Sequence, residues 1–274
     1  MDWKNIYRGL LMGVTDLIPG VSGGTVAFVL GIYDRLLEAI SGLFSREWKK
    51  HIGFLVPLGI GIVAALLIFS RLIDYLLERH LAPTQFFFMG LIIGVIPFIL
   101  RQAGAKQNFK ANHMIGLIVV AILLASLAFI KTNEAAAPIT SLNIQTFFLL
   151  FFSGWLASMA MLLPGISGSF ILLLIGVYTT AIKALKDFNI PLILTIGAGV
   201  IIGFIVSSKA IRYLLSNFQH MTYAVIVGLI FGSFFVMFPG VPVGLDLWIS
   251  IITFLVGLVF SLWFSSEKFT KTSQ

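Results

Sequence analysis

The chain has no cysteine among its 274 residues. That excludes a disulfide framework, thiol catalysis and a cysteine-based metal site. Charge is also scarce, at 11% of residues. The four histidines, His51, His80, His113 and His220, are scattered and form no metal-ligand spacing. No Walker motif, G-x-S-x-G elbow or HExxH helix occurs. The longest polar stretches, 101–112 and 131–143, have the length of loops and leave no room for a soluble domain. Residues 1–8 lack a signal-peptide layout, so insertion is expected through the mature helices. Neither a catalytic set, a metal nor a cofactor is expected, and no nucleic-acid partner despite the net charge of +7.

What is present is apolar surface: 59% of residues are hydrophobic and the mean hydropathy is +1.04. A polytopic helical membrane protein accounts for that composition. Apolar runs fall at 6–18, 24–44, 52–78, 84–100 and 113–130, then again at 144–163, 168–185, 191–216, 221–238 and 247–264. A shift of 145 places Gly9 on Gly154, Pro19-Gly20 on Pro164-Gly165, Ser22-Gly23 on Ser167-Gly168, Gly31 on Gly176 and Tyr33 on Tyr178. A shift of 138 places Gly59 on Gly197, Arg71 on Lys209, Tyr75 on Tyr213, and Gly90 and Gly94 on Gly228 and Gly232. Matching glycines, prolines and tyrosines go beyond chance matching of apolar letters and indicate a duplication. The expected fold is all-α, with two inverted-topology repeats. Residues 1–135 hold a hairpin at 6–44 and spans 52–78, 84–100 and 113–130. Residues 141–270 hold a hairpin at 144–185 and spans 191–216, 221–238 and 247–264.

Each unit crosses an odd number of times whether its hairpin is re-entrant or fully spanning, so the second unit is inverted. Run 6–18 is shorter than the ~20 residues of a span, which favours a re-entrant hairpin, although run 144–163 is long enough to cross. With the N-terminus on one side, that side collects Lys4, Arg8, Arg46, Lys49, Lys50, Arg101, Lys106, Lys110, Lys209, Arg212, Lys268 and Lys271. The other side holds Arg79, Lys131, Lys183 and Lys186. This bias places both termini in the cytoplasm. The pairs Gly90/Gly94, Gly228/Gly232 and Gly199/Gly203 are expected to bring helices close together. The tails of runs 52–78 and 191–216 are amphipathic and are expected to run along the membrane interface.

Two stretches interrupt the apolar pattern at corresponding places: Ile18-Pro19-Gly20-Val21-Ser22-Gly23-Gly24-Thr25 and Leu163-Pro164-Gly165-Ile166-Ser167-Gly168-Ser169. Proline and glycine break a helix, and broken backbone at membrane depth persists only where protein or a water-filled cavity covers it. Helices starting just after the breaks, at Gly24 or Ser169, aim free N–H groups back into them, where an anion fits. Ser22, Thr25, Ser167 and Ser169 add hydroxyls, though serines here also read simply as helix caps. The two breaks together are read as one anion site made from two halves, with Gly23, Gly24 and Gly168 admitting the ligand to the main chain. Among ionisable residues, Asp16 lies deepest and is the candidate for proton coupling, or else braces the hairpin. Asp34, Arg35 and Glu38 follow the first break, with Arg35 positioned to meet Glu38 at i,i+3 and a candidate phosphate contact. Arg71, Lys183, Lys209 and Arg212 are candidate headgroup or interface contacts.

These residues resemble the signatures of the bacterial polyprenyl-phosphate transporter family. Its N-terminal signature is similar to Met12-Gly13 through Asp16 and Pro19-Gly20 to Thr25, then Leu30-Gly31-Ile32-Tyr33-Asp34-Arg35. Its second is similar to Leu163 to Ser169, then Gly176-Val177-Tyr178. The likeness runs essentially the full length. It implies a bacterial plasma-membrane transporter that returns the lipid carrier undecaprenyl phosphate from the outer to the inner leaflet, with membrane lipids as its other partners and no enzymatic activity. The residues alone reach only an anion site in an inverted-repeat transporter, so a small-anion transporter stays open. An undecaprenyl-diphosphate phosphatase is the further alternative. Such enzymes resemble a Pro-Gly-x-Ser-Arg pattern with paired glutamates, whereas Gly23 and Gly168 stand in the arginine position here and no glutamate pair precedes either break.

Overall fold

A computed structural model describes residues 1–17, 22–43, 45–129 and 138–264, with the side chains of Asp74 and Phe264 left aside. The described chain is helical, without strands. Its helices are α1 (Asn5–Asp16), α2 (Gly23–Val29), α3 (Tyr33–Ser41), α4 (Trp48–Arg79), α5 (Leu81–Gln102), α6 (Ala105–Asn108), α7 (Ala111–Ser126), α8 (Ile144–Leu162), α9 (Gly168–Ile175), α10 (Tyr178–Lys186), α11 (Ile190–Asn217), α12 (Gln219–Met237) and α13 (Leu245–Phe264). Local sequence explains several boundaries. Asn143 opens α8 in a reciprocal capping box, accepting from the Thr146 N–H at 2.8 Å while the Thr146 hydroxyl accepts from the Asn143 N–H at 2.8 Å. Asn189 caps α11, with Pro191 in the first turn. The short helices α2 and α9 each run out into a glycine in the left-handed region, Gly31 at φ 64° and Gly176 at φ 82°, a conformation closed to most other residues.

Seven helices among the described residues are long and apolar enough to cross a membrane: α4, α5, α7 with the turn that follows it, α8, α11, α12 and α13. The first arm of the second hairpin, α8, therefore has span length. Its return arm is bent by 108° between α9 and α10, as a broken span or a re-entrant loop is. The first hairpin is built of three shorter pieces, α1 to α3. The 32 residues of α4 and 28 of α11 each form one unbroken helix. Residues 71–79 and 209–217, expected as amphipathic interfacial tails, continue these helices without interruption, because no proline or glycine breaks the backbone there. At 1.5 Å per residue α4 is about 48 Å long, well beyond a hydrocarbon core of about 30 Å.

Packing is pairwise. α1 lies on α4 and α8 on α11; α5 lies on α13 and α12 on α7. α5 and α12 also touch each other and are the most buried spans, whereas α7 and α13 turn apolar side chains such as Ile122 and Val259 outward. The glycine pairs act as expected. A Cβ on Gly90 would collide with the Phe254 carbonyl, one on Gly228 with Leu117, and one on Gly199 with Phe151. The same closeness holds at Gly9 against Leu58 and Gly154 against Ile196.

Gly90→Leu should therefore force α5 and α13 apart and lower stability by about 1–3 kcal/mol, read as thermal unfolding in detergent. Gly197→Ala is the contrasting case, since a Cβ there meets nothing within 4 Å; it should leave stability unchanged or raise it by about 0.5–1 kcal/mol.

Candidate functional site at the two breaks

α8 ends at Leu162, and its last carbonyls have no partner within the helix. Residues 163–167 are non-helical, with Gly165 at φ 92°, and α9 then starts behind Ser167, whose hydroxyl accepts from the Phe170 N–H at 3.2 Å. In the first half α2 starts behind Ser22, whose hydroxyl accepts from the Thr25 N–H at 3.4 Å. Pro19 and Gly20 lie outside the described residues. Both serines thus act as helix caps.

The groups freed by the second break are met by the first half. The Ser22 hydroxyl donates to the Leu163 carbonyl at 3.2 Å. The Gly165 N–H donates to the Thr25 hydroxyl oxygen at 3.1 Å. The Tyr33 hydroxyl donates to the Leu162 carbonyl at 3.0 Å. Gly24 presses against that same carbonyl, where a Cβ would stand 2.9 Å from its oxygen. Ser22, Thr25 and Tyr33 are buried, and Tyr33 stacks on Phe28 with ring centroids 3.8 Å apart. Ser167 and Ser169 stay within their own half, their hydroxyls 3.2 Å apart.

Asp16 ends α1 and turns back onto α2, where its Oδ1 accepts from the Gly23 N–H at 2.7 Å. It lines a cavity of about 180 Å³ with Met12, Gly23, Gly24, Met161 and Phe204. The cavity thus joins α1 and α2 to the end of α8 and the middle of α11. Gly168, Ser167 and Ser169 do not line it.

Arg35 sits elsewhere. With Asp34, Glu38 and Arg212 it lines a separate surface cleft of about 490 Å³ between α3 and α11. The expected Arg35–Glu38 pair is corrected. Arg35 reaches Asp2 at 3.4 Å and lies 4.9 Å from the Phe54 ring, while Glu38 faces Lys50 at 3.8 Å. The fold brings the N-terminal residues and α4 alongside α3, and those contacts win over the local i,i+3 spacing. Arg212 Nη1 donates to the Ser41 hydroxyl at 2.8 Å. Arg71, Lys183 and Lys209 are exposed, away from the breaks. One residue was missed as a site component. Tyr33 could have been suspected from its match to Tyr178. Arg8, placed among loop charges by sequence, is 3% exposed.

Seven spans, a sharply bent helix pair and two interlocked backbone breaks make this a multi-pass membrane protein. Residues 12–250 match the family model described as undecaprenyl phosphate translocase-like, and the chain belongs to that family. It is similar to the polyprenyl-phosphate transporter of Staphylococcus aureus, 42% identical over 268 residues and covering 95% of each chain. It is also similar to the polyprenyl-phosphate transporter of Vibrio cholerae, 36% identical over 247 residues, with 85% of this chain and 77% of that one covered. No solved structure matches it.

Thr25→Val keeps the shape of the side chain and leaves the Gly165 N–H without its acceptor. A buried unpaired donor costs about 1–3 kcal/mol, so this variant should unfold correspondingly earlier in a detergent melt. Tyr33→Phe, which leaves a carbonyl rather than an N–H unpaired, should lose less.

Proposed function

We propose that the chain transports a polyprenyl phosphate across the bilayer, namely undecaprenyl phosphate carried from the outer to the inner leaflet of the bacterial plasma membrane. The observation that carries the reading is the direct joining of the two breaks by Ser22, Thr25 and Tyr33 across 129 to 141 residues of sequence. The names of the Staphylococcus aureus and Vibrio cholerae relatives support the substrate class. The phosphate is held by hydroxyl and N–H groups of Ser22, Gly23, Gly24, Thr25, Ser167, Gly168 and Ser169, while the apolar chain stays in lipid. Arg35 and Arg212, with Asp34 and Glu38, form an approach cleft for the headgroup, and Arg71, Lys183 and Lys209 meet lipid headgroups at the surface.

Alternating access is the transport mode that an inverted repeat supports. Two inverted repeats, 1–135 and 141–270, rock against each other. The matched pairings of α1 with α4 and α8 with α11, and of α5 with α13 and α12 with α7, support a twofold repeat whose halves exchange helices in the last two pairs. The interlock between the breaks consists of three neutral hydrogen bonds, weak enough to open in each cycle. Opening frees the Ser22 and Thr25 hydroxyls for the phosphate. Asp16 couples the step to protons: its carboxylate occupies the Gly23 N–H in the absence of substrate and yields it when protonated. The distribution of Lys and Arg supports a cytoplasmic location for both termini. Hydrolysis is disfavoured because neither break offers a cation for a phosphoryl transition state.

Reconstituted liposomes should move a fluorescent C55 phosphate and ignore soluble anions; accumulation of a soluble anion instead would make the chain a small-anion transporter. Release of phosphate from C55 diphosphate would make it an enzyme. Asp16→Asn should retain folding and lose the pH dependence of transport, and an unchanged rate and pH profile would remove Asp16 from coupling. Gly23→Val, whose side chain points at Asp16 from 3.0 Å, should reduce transport at least tenfold.

A further inference from the structure

A second cavity, of about 260 Å³, shares α1, α2 and α4 with the one at the breaks. On α1 the two lie on neighbouring faces. Met12 and Asp16 face the cavity at the breaks, and Leu11 and Thr15, each one residue earlier and about 100° round the helix, line the second. α2 is divided along its length: Gly23 and Gly24 line the first cavity, Val26 and Leu30 the second. α5 and α13 complete the walls. The depth is buried at Phe88 and Leu91, and the rim carries Phe260, 41% exposed on the outward helix α13.

No charged residue lines this second cavity, which disfavours a phosphate there and suits an apolar chain. Burial alone does not hold such a chain, because lipid tails are as apolar as the walls. Selection needs shape, and a contact that ordinary tails lack. Shape comes from the rings of Phe69, Phe87 and Phe88, against which methyl branches make more contact than bare methylenes do. The contact comes from Ser261. Two hydroxyls line the cavity. Thr15 donates its own to the Met12 carbonyl at 2.7 Å. Ser261 is 0% exposed, and its hydroxyl has no hydrogen-bond partner. The π-face of a carbon–carbon double bond is a weak acceptor for such a hydroxyl. An isoprenoid chain carries methyl branches and double bonds at regular intervals, and a straight saturated chain carries neither.

We propose that this cavity binds isoprene units of the carried lipid, with Ser261 facing a double bond, and so selects a polyprenyl chain over a straight saturated one. Only a short part of the chain fits, and the rest stays in lipid. The proposal rests on the transport reading for the identity of the natural ligand, but the cavity is tested by chain preference alone. Protein in nanodiscs is titrated with three phosphates. Farnesyl phosphate has branches and double bonds, hexahydrofarnesyl phosphate keeps the branches alone, and dodecyl phosphate has the same main chain with neither. Headgroup contacts are common to all three, and comparing ratios between variants cancels partition into the bilayer. Wild type should bind farnesyl phosphate about fivefold or more tightly than dodecyl phosphate. Val14→Phe, which fills the cavity from α1, should bring the two to equality. Ser261→Ala should lower the preference for farnesyl over hexahydrofarnesyl phosphate about two- to fivefold. Ser250→Ala removes another buried, unpartnered hydroxyl of α13, one that does not line the cavity, and should leave that preference unchanged.

Equal binding of farnesyl and dodecyl phosphate by wild type makes the cavity an ordinary lipid crevice and overturns the proposal. A preference that survives in Val14→Phe does the same. An equal loss in Ser261→Ala and Ser250→Ala also overturns it, by making Ser261 a packing residue of the α5–α13 seam. If Val14→Phe does not fold, photolabelling of wild type carries the test. A diazirine-bearing farnesyl phosphate should label cavity residues of α5 or α13, such as Phe88 or Phe260, and labelling confined to helices that do not line the cavity overturns the proposal. C55 phosphate translocation is measured separately. Cavity-dependent chain preference without translocation sinks the transport reading and leaves the chain site standing. Translocation without any chain preference does the reverse.

Discussion

Backbone polar groups cannot be left bare inside a bilayer, and this constraint governs the centre of the molecule. The second break frees the carbonyls of Leu162 and Leu163 and the N–H of Gly165. Lipid offers them no partner, and α8 and α9 themselves cannot reach them. Ser22, Thr25 and Tyr33 come from the other half of the chain and take all three. The break therefore exists only because the halves meet there. Each half supplies part of the other's hydrogen bonding, so the weakest part of the backbone is also one of the joints between the halves.

The rest of the packing serves that joint. Water does not drive helices together in lipid, and close approach of backbones has to supply the attraction. Gly9, Gly90, Gly154, Gly199 and Gly228 each bring a neighbouring helix carbonyl to where a Cβ would stand. The outer helices α7 and α13 clamp α12 and α5 in this way, and α4 and α11 clamp α1 and α8. The hairpin arms are thus carried on long, continuous spans. Two of these seams, α5 with α13 and α7 with α12, join the first half to the second, so the halves are held by glycine seams as well as by the neutral hydrogen bonds at the breaks.

Charge is arranged less symmetrically than backbone. Asp16, Arg8, Asp34 and Arg35 belong to the first half, where their counterparts are Met161, Ser153, Thr179 and Thr180. The two halves share a skeleton of breaks, caps and glycines, but the ionisable residue that lines the cavity, Asp16, comes from the first. Such a division suits a device in which one half carries the chemistry and the other completes its walls.

Much of this was legible in the sequence because it depends on local pattern. Apolar runs marked the spans, Ser22 and Ser167 marked helix starts, and glycine spacing marked the close seams. Those features are set within a few residues of chain. Contacts between distant segments were not legible, because they depend on how helices pack. The i,i+3 spacing suggested that Arg35 would pair with Glu38, yet the fold offers Arg35 the nearer Asp2 and Glu38 the nearer Lys50. Arg8 looked like a loop charge until α4 packed against α1. Tyr33 and Thr25 gained their roles only when α8 ended beside them. By itself, then, the sequence determined where helices run, where they break and which faces can touch. The tertiary structure alone decided which groups answer the broken backbone and which cation is buried without a counter-ion, since both depend on segments more than a hundred residues apart or on burial that no local pattern encodes.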